Sequence, residues 1–275
     1  MNDTPRTDWH LGPMLPFDTE TTGTDVENDR IVSATVAYVQ AGGQPVYWSQ
    51  LVKVDVPIPP EATRVHGITN QQCDELGRPE QEVLSGIVGR LMHAKTNGYP
   101  VVGMNLTFDF TILDRRLRAT DPDGRGLDAY LQGEPFPVVD VRVLDKALTH
   151  RKGGRTLGAL CEHWGVRHDG AHDARYDAIA AARLAFKIKR VCDHTADYDR
   201  QADFVRDFPG AFAGTMAYVS ALTLPALHEW QRKKHAAQCA SLRAYFNRQG
   251  TKHDGVDPSW PVRPFGRVAV RDDQA

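Results

Sequence analysis

Two carboxylates stand at i and i+2 in the stretch LPFDTETTG, residues 15–23: Asp18 and Glu20. On an extended backbone, side chains two residues apart leave the same face. Two negative charges ~4 Å apart at an effective dielectric of ~20 repel by about 4 kcal/mol, so such a pair needs cations or protons to be stable. That points to metal binding, although in isolation the same residues read more simply as a polar strand end running into a Thr-rich turn closed by Gly23. Further ligands have to come from elsewhere in the chain. Asp109, in NLTFDFTILDRRLRA, falls in the first turns of a helix, where a carboxylate also favours the helix dipole by ~0.3–1 kcal/mol. Asp177, in the alanine-rich DARYDAIAAARLAFKIKR, falls in the second turn of another helix, and His172 stands five residues earlier at its entrance. With an ordinary pKa near ~6.5, a histidine there can accept a proton at neutral pH.

Alternation and β-branching predict strands over Arg30–Gln40 and Val46–Val54, a hairpin broken by AGGQP after the first strand. Pro16 lies inside that first strand and is tolerable only where its missing N–H faces no partner. A short helical piece ends at Gly67, and Arg78–Ala94 has the spacing of an amphipathic helix with Val83, Leu84, Ile87, Val88 and Leu91 on one side. Pro100–Met104 reads as a strand feeding the helix of Asp109, in which Phe108, Ile112 and Leu117 are the apolar positions. Thr120–Pro137 reads as a loop, Val138–Val143 as a strand and Leu144–Leu148 as a helix. The segment HRKGGRTLGALCEHWGV is a basic glycine loop feeding a helix capped by Thr156. Alanine content makes the helix of Asp177 the strongest in the chain.

The 275 residues are 41% hydrophobic and 25% charged, the composition of an ordinary soluble protein, large enough for one domain and an appendage. No stretch approaches the ~18 apolar residues of a membrane span, and the polar start MNDTPRTDWH predicts no secretory leader. Cys73, Cys161, Cys192 and Cys239 form no CxxC pair, which predicts reduced thiols in a cytoplasmic compartment and argues against a zinc knuckle. The net charge of −2 hides a division: residues 1–60 hold eight acids and three bases, residues 141–192 eleven bases and five acids. An acidic centre beside a basic neighbourhood suits a metal site that handles a polyanion.

Taken in order, FDTETTG, NLTFD and HDARYD resemble the three motifs of the DEDD superfamily of 3′–5′ exonucleases, the second as NxxFD and the third as HxAxxD. EATRVHGIT resembles the substrate-side helix of these enzymes and RTLGALCEHWGV the helix before their last motif. The histidine five residues before the last aspartate places the chain in the DEDDh branch, similar to the proofreading epsilon subunits of bacterial DNA polymerase III. Met104, where those subunits carry histidine, lies outside the motif. The resemblance spans roughly residues 15–191. It implies an RNase H-like α/β fold, a five-stranded mixed sheet flanked by helices with the second strand antiparallel, and an exonuclease domain over residues 12–192. It also implies metal-dependent release of nucleoside 5′-monophosphates from single-stranded or frayed DNA. Asp18, Glu20, Asp109 and Asp177 would hold two Mg²⁺ or Mn²⁺ ions, with His172 as the base. Thr22, His66, Asn105 and Phe108 would meet the terminal nucleotide, and Arg151, Lys152 and Arg155 the phosphate backbone. RNA as the substrate, a polymerase or replisome partner, and a binding or scaffold protein that keeps the fold without turnover remain open on these residues.

Residues 193–275 fall outside the resemblance and read as a mostly helical extension, with a long helix over Leu224–Arg248. His228, His235 and Cys239 share one face of it, a pattern that fits packing better than a metal site because no fourth ligand accompanies them. Arg232, Lys233 and Lys234 would place positive charge near nucleic acid. No Gln/Pro-rich tether is visible, which favours stand-alone action.

Overall fold

The computed structural model describes residues 8–131, 136–151, 153–170, 173–195, 211–253 and 255–266. The hairpin follows the first strand as predicted: β1 (Leu15–Thr21) pairs antiparallel with β2 (Ile31–Tyr38), and β2 with β3 (Val46–Lys53). β5 (Val101–Gly103) joins β1 in parallel, and β6 (Val138–Asp140) joins β5 in parallel. A two-residue strand, β4 (Arg78–Pro79), lies parallel to β3, so the order is β4-β3-β2-β1-β5-β6 and the sheet has six strands rather than five. The sequence pattern extends a helix back to Arg78. A residue before proline is held extended, and Arg78 and Pro79 pair with Val52 and Lys53 instead.

Pro16 costs β1 part of its ladder. Met14 bridges Val39 and the regular pairing resumes at Phe17 opposite Val36, with the break between them at the proline. On the other side Pro16 stays in register with Val102 of β5.

Alternation divides the buried residues between two cores. Val101 and Val138 join Phe17 in one, under α3 (Glu80–Asn97) and α4 (Leu106–Thr120); Val102 and Val139 face the other, under α6 (Val141–Leu148), α7 (Leu157–Trp164) and α8 (Ala174–Thr195). Val83, Leu84, Ile87, Val88 and Leu91 of α3 are all buried, as their spacing predicts. Thr156 caps α7 by accepting the Ala159 N–H. α1 (Pro60–His66) ends at Gly67 with φ 75°, a left-handed conformation that favours glycine. α2 (Asn70–Leu76) follows, and α5 (Leu127–Tyr130) forms within the stretch predicted as loop. β6 stops at Asp140 rather than Val143, because the Asp140 carboxylate caps α6 through the Arg142 and Val143 N–H groups.

The extension contributes α9 (Ala213–Ser220) and α10 (Leu224–Gln249). α10 covers β6, the sheet's edge strand. His228 Nδ1 accepts the Val138 N–H at 3.1 Å, Gln231 Oε1 accepts the Asp140 N–H at 2.8 Å, and Gln231 Nε2 donates to the Val138 carbonyl at 2.8 Å. Two side chains thus satisfy backbone groups that a seventh strand would otherwise have to meet. Burial lowers the His228 pKa to about 4, in keeping with a neutral ring that accepts a hydrogen bond. Cys239 and His235 both meet the Asp257 carbonyl at 3.2 Å, the packing role that their common face predicts. Among the described residues no helix is long and apolar enough to cross a membrane.

Candidate active site

Asp18 and Glu20 leave one face of β1 near its C-terminal end, in register with Thr35 and Ser33 of β2. α8 lays Asp177, in its first turn, against them. Asp18, Glu20 and Asp177 each offer a carboxylate oxygen, and these oxygens lie within 4.8 Å of one another.

The fourth acid arrives differently. β5 ends at Gly103, so the Thr19 N–H has no strand partner on that side. Asp109 Oδ1 supplies one at 3.1 Å and also accepts the Thr19 hydroxyl at 2.7 Å. Gly103 permits the approach: a Cβ there would stand 2.7 Å from the Phe17 carbonyl and 2.5 Å from the Leu106 side chain. The turn into α4 passes through Asn105, at φ 65°. Asp140 holds it, accepting the Asn105 and Leu106 N–H groups at 3.0 Å each.

Electrostatics follow from this crowding. Asp18 is pushed well above the usual carboxylate range by burial first, then by Asp109, Glu20 and Asp177. Burial, with Asp177, Asp109 and Asp173 behind it, raises Glu20 to about 8. Asp109 is raised to about 7 by burial, against the opposing hydrogen bonds from Thr19. Carboxylates crowded in this way are stabilised by protons or cations, and an all-carboxylate donor set suits hard divalent ions such as Mg²⁺ or Mn²⁺.

The remaining predicted residues separate into groups. Thr22 is buried in the turn after β1, donating to Asp29 at 2.7 Å and accepting the Arg30 N–H at 3.0 Å. His66 of α1 shares with Glu20 the lining of a cavity of about 280 Å³. Asn105 and Phe108 lie on the turn of α4 that carries Asp109 and line a different cleft. Arg151 and Arg155 converge instead on the buried Asp145, at 3.2 and 2.9 Å, where Trp164 Nε1 also donates. Arg232 and Lys233 pair with Glu229, and Lys234 lies over the Trp230 ring. His172 and Lys152 lie outside the described residues.

Sequence reasoning passed over three residues. His168 Nε2 stands 2.7 Å from Asp177 Oδ1, Thr19 clamps Asp109, and Asp140 anchors the start of α4. His168 sits in the loop RHDGAH singled out as the approach to α8, and Thr19 is the residue between the two acids. Only the offset from Asp177 distinguishes His172 from His168 in the sequence.

Carboxylates gathered from the central strand and from helices on the two faces of a mixed sheet define the RNase H-like class of nuclease folds. The sequence profile of the exonuclease family of RNase T type matches residues 15–185, and the chain belongs to that family. A DNA polymerase III subunit epsilon-like protein of Rhodobacter capsulatus is 28% identical over 179 residues, which are 62% of this chain and 23% of that protein. E. coli exonuclease I bound to a dT13 oligonucleotide superposes with a TM-score of 0.52 at 21% identity, over 67% of this chain and 43% of that one. Its complex with a dA16 oligonucleotide gives 0.53 at 20% identity, over 65% and 41%. The chain therefore spans less than half the length of each of these proteins.

Proposed function

We propose that this protein is a 3′–5′ exonuclease that releases nucleoside 5′-monophosphates from the ends of single-stranded or frayed DNA. The observation that carries the reading is the convergence of Asp18, Glu20 and Asp177 within 4.8 Å, beside Asp109. Two Mg²⁺ or Mn²⁺ ions held there would neutralise the carboxylates, polarise the phosphodiester and lower the pKa of a bound water. Asp18, whose carboxyl feels the charges of Asp109, Glu20 and Asp177, would help to hold both ions. His172 takes the proton of the attacking water, a role supported by its spacing from Asp177. Oligonucleotide complexes of exonuclease I support DNA as the polymer, and the epsilon-like relative supports a place in proofreading or repair beside a polymerase. Four free, buried cysteines support a reducing, cytoplasmic setting.

A time course on matched 5′-labelled DNA and RNA oligonucleotides tests the reading, with Mn²⁺ or Mg²⁺ or with chelator, for the wild type, Asp18→Ala and His172→Ala. The expected result is a metal-dependent ladder shortening from the 3′ end, faster on DNA and lost in both variants. Absence of a ladder from the folded, metal-supplied wild type refutes the enzyme, and faster shortening of RNA refutes the substrate.

A further inference from the structure

The extension does more than cover β6. α10 stands beside α6, and residues 255–263 return across the start of α4, so that together they enclose a cleft of about 210 Å³. Phe108 from α4, Arg142 and Lys146 from α6, Gln238 from α10 and Arg263 from the returning segment line it. Three of these five are cations. Two acids also line the cleft, but both are engaged: Asp140 accepts backbone N–H groups at the starts of α4 and α6, and Asp257 accepts the Ser259 N–H at 2.7 Å.

Among the described residues no carboxylate forms an ion pair with any of the three cations, although Asp140 feels the charge of Arg142. Arg142, exposed, reaches the Asn105 side-chain oxygen at 2.8 Å. Burial first, and the Arg142 guanidinium second, pull the Lys146 pKa down, with no carboxylate offsetting them. Among the described residues the buried Nε of Arg263 has no hydrogen-bond partner. Neither has the hydroxyl of Thr107, a residue only 5% exposed that also lines the cleft. Buried polar groups left unmatched in this way call for a polar partner, which a ligand in the cleft can supply.

Phe108 immediately precedes Asp109, so the first turn of α4 contributes one residue to the cleft and one to the carboxylate cluster. Its volume of about 210 Å³ suits a sugar–phosphate unit. We propose that this cleft, built by the C-terminal extension, holds the phosphodiester backbone of a single strand immediately 5′ of the nucleotide being removed. This rests on the exonuclease reading above. The extension would then confer a preference for polynucleotides over short substrates, Arg142 and Lys146 meeting phosphate oxygens and Thr107 and Arg263 donating behind them.

The experiment compares kcat/KM on an oligo(dT) with kcat/KM on the 4-nitrophenyl ester of thymidine 5′-monophosphate, which can fill only the terminal site. Both are measured in Mn²⁺ at low and high potassium chloride, for the wild type, Arg142→Gln, Lys146→Gln and Arg263→Gln. Because Arg142 is exposed, its substitution does not threaten folding. For each variant the oligonucleotide is expected to lose about tenfold relative to the ester, mainly through KM, with the salt slope shallower by about 0.7 per phosphate contact removed. Equal losses on both substrates, or an unaltered ratio and salt slope in Arg142→Gln, overturn the cleft. Failure of the wild type to hydrolyse either substrate overturns the exonuclease reading instead.

Discussion

Replacing Glu20 by glutamine should stabilise the metal-free protein while abolishing its turnover. In the folded chain the Glu20 carboxyl is raised from 4.5 to about 8 by burial and by the charges of Asp177, Asp109 and Asp173. The folded state therefore binds a proton that the unfolded chain releases, and stability falls as pH rises from about 4.5 to about 8. At pH 7 the difference is about 2.5 pH units on the unfolded side, or about 3 kcal/mol. Glutamine has nearly the same shape and no charge to desolvate. For a chain of this size, about 3 kcal/mol corresponds to roughly 5–10 °C in Tm.

The assay is thermal unfolding in EDTA from pH 4 to pH 9. Glu20→Gln should melt above the wild type at pH 7, by a margin that widens towards pH 8 and closes near pH 4, where the carboxyl is protonated in both states. Mn²⁺ at a thousand times its Kd should reverse the order, since that adds about 4.1 kcal/mol to the protein that binds it. Equal melting of the two proteins in EDTA at pH 7, or an advantage of the variant that persists at pH 4, would refute the reasoning. The first would mean that the carboxylates do not repel one another in the folded chain, the second that the gain is one of packing.

Three other substitutions follow from the contacts. His168→Ala removes a hydrogen-bond partner of Asp177 and should weaken Mn²⁺ binding by about 10–100-fold in calorimetric titration, with His168→Gln recovering part of it; equal affinities would mean that His168 does not position Asp177 for the metal. Asp145→Asn strips the charge partner from Arg151 and Arg155 and should cost about 3–5 kcal/mol in urea unfolding, whereas a neutral result would free both arginines for the phosphate role that their sequence suggests. Gln231→Leu leaves the Asp140 N–H and the Val138 carbonyl unmatched and should destabilise by about 2–4 kcal/mol, read in the same urea experiment.

What the sequence made legible is what period and residue type encode. The alternation of β2, the apolar stripe of α3 and the Thr156 cap all depend on near neighbours, and the structure reproduces them; the acids Asp18, Glu20 and Asp177 come together as well. Contacts that close over long sequence separations were not legible. Arg151 and Arg155 look like phosphate ligands in a basic glycine loop, because nothing within a few residues announces that Asp145 will be buried between them. β4 was hidden because two residues carry no period, and Asp140 because an aspartate ending an apolar run reads as the middle of a strand until its helix cap is seen.

Asp140 links the extension to the chemistry. Gln231 of α10 accepts its backbone N–H, and its carboxylate accepts the N–H groups of Asn105 and Leu106, which begin the helix that carries Asp109. Asp109 in turn takes the Thr19 N–H and hydroxyl between Asp18 and Glu20. Three side chains and one turn of helix therefore connect residue 231 with the central strand, and the hydrogen bonds in the series are buried or nearly so. Such a series fixes where α4 starts, and a displacement of about 1 Å in a positioning element is enough to lower turnover by about a hundredfold. Loss of α10 would then be felt at Asp109 as well as at the sheet edge. That is a physical reason for residues outside the family match to be part of the working unit.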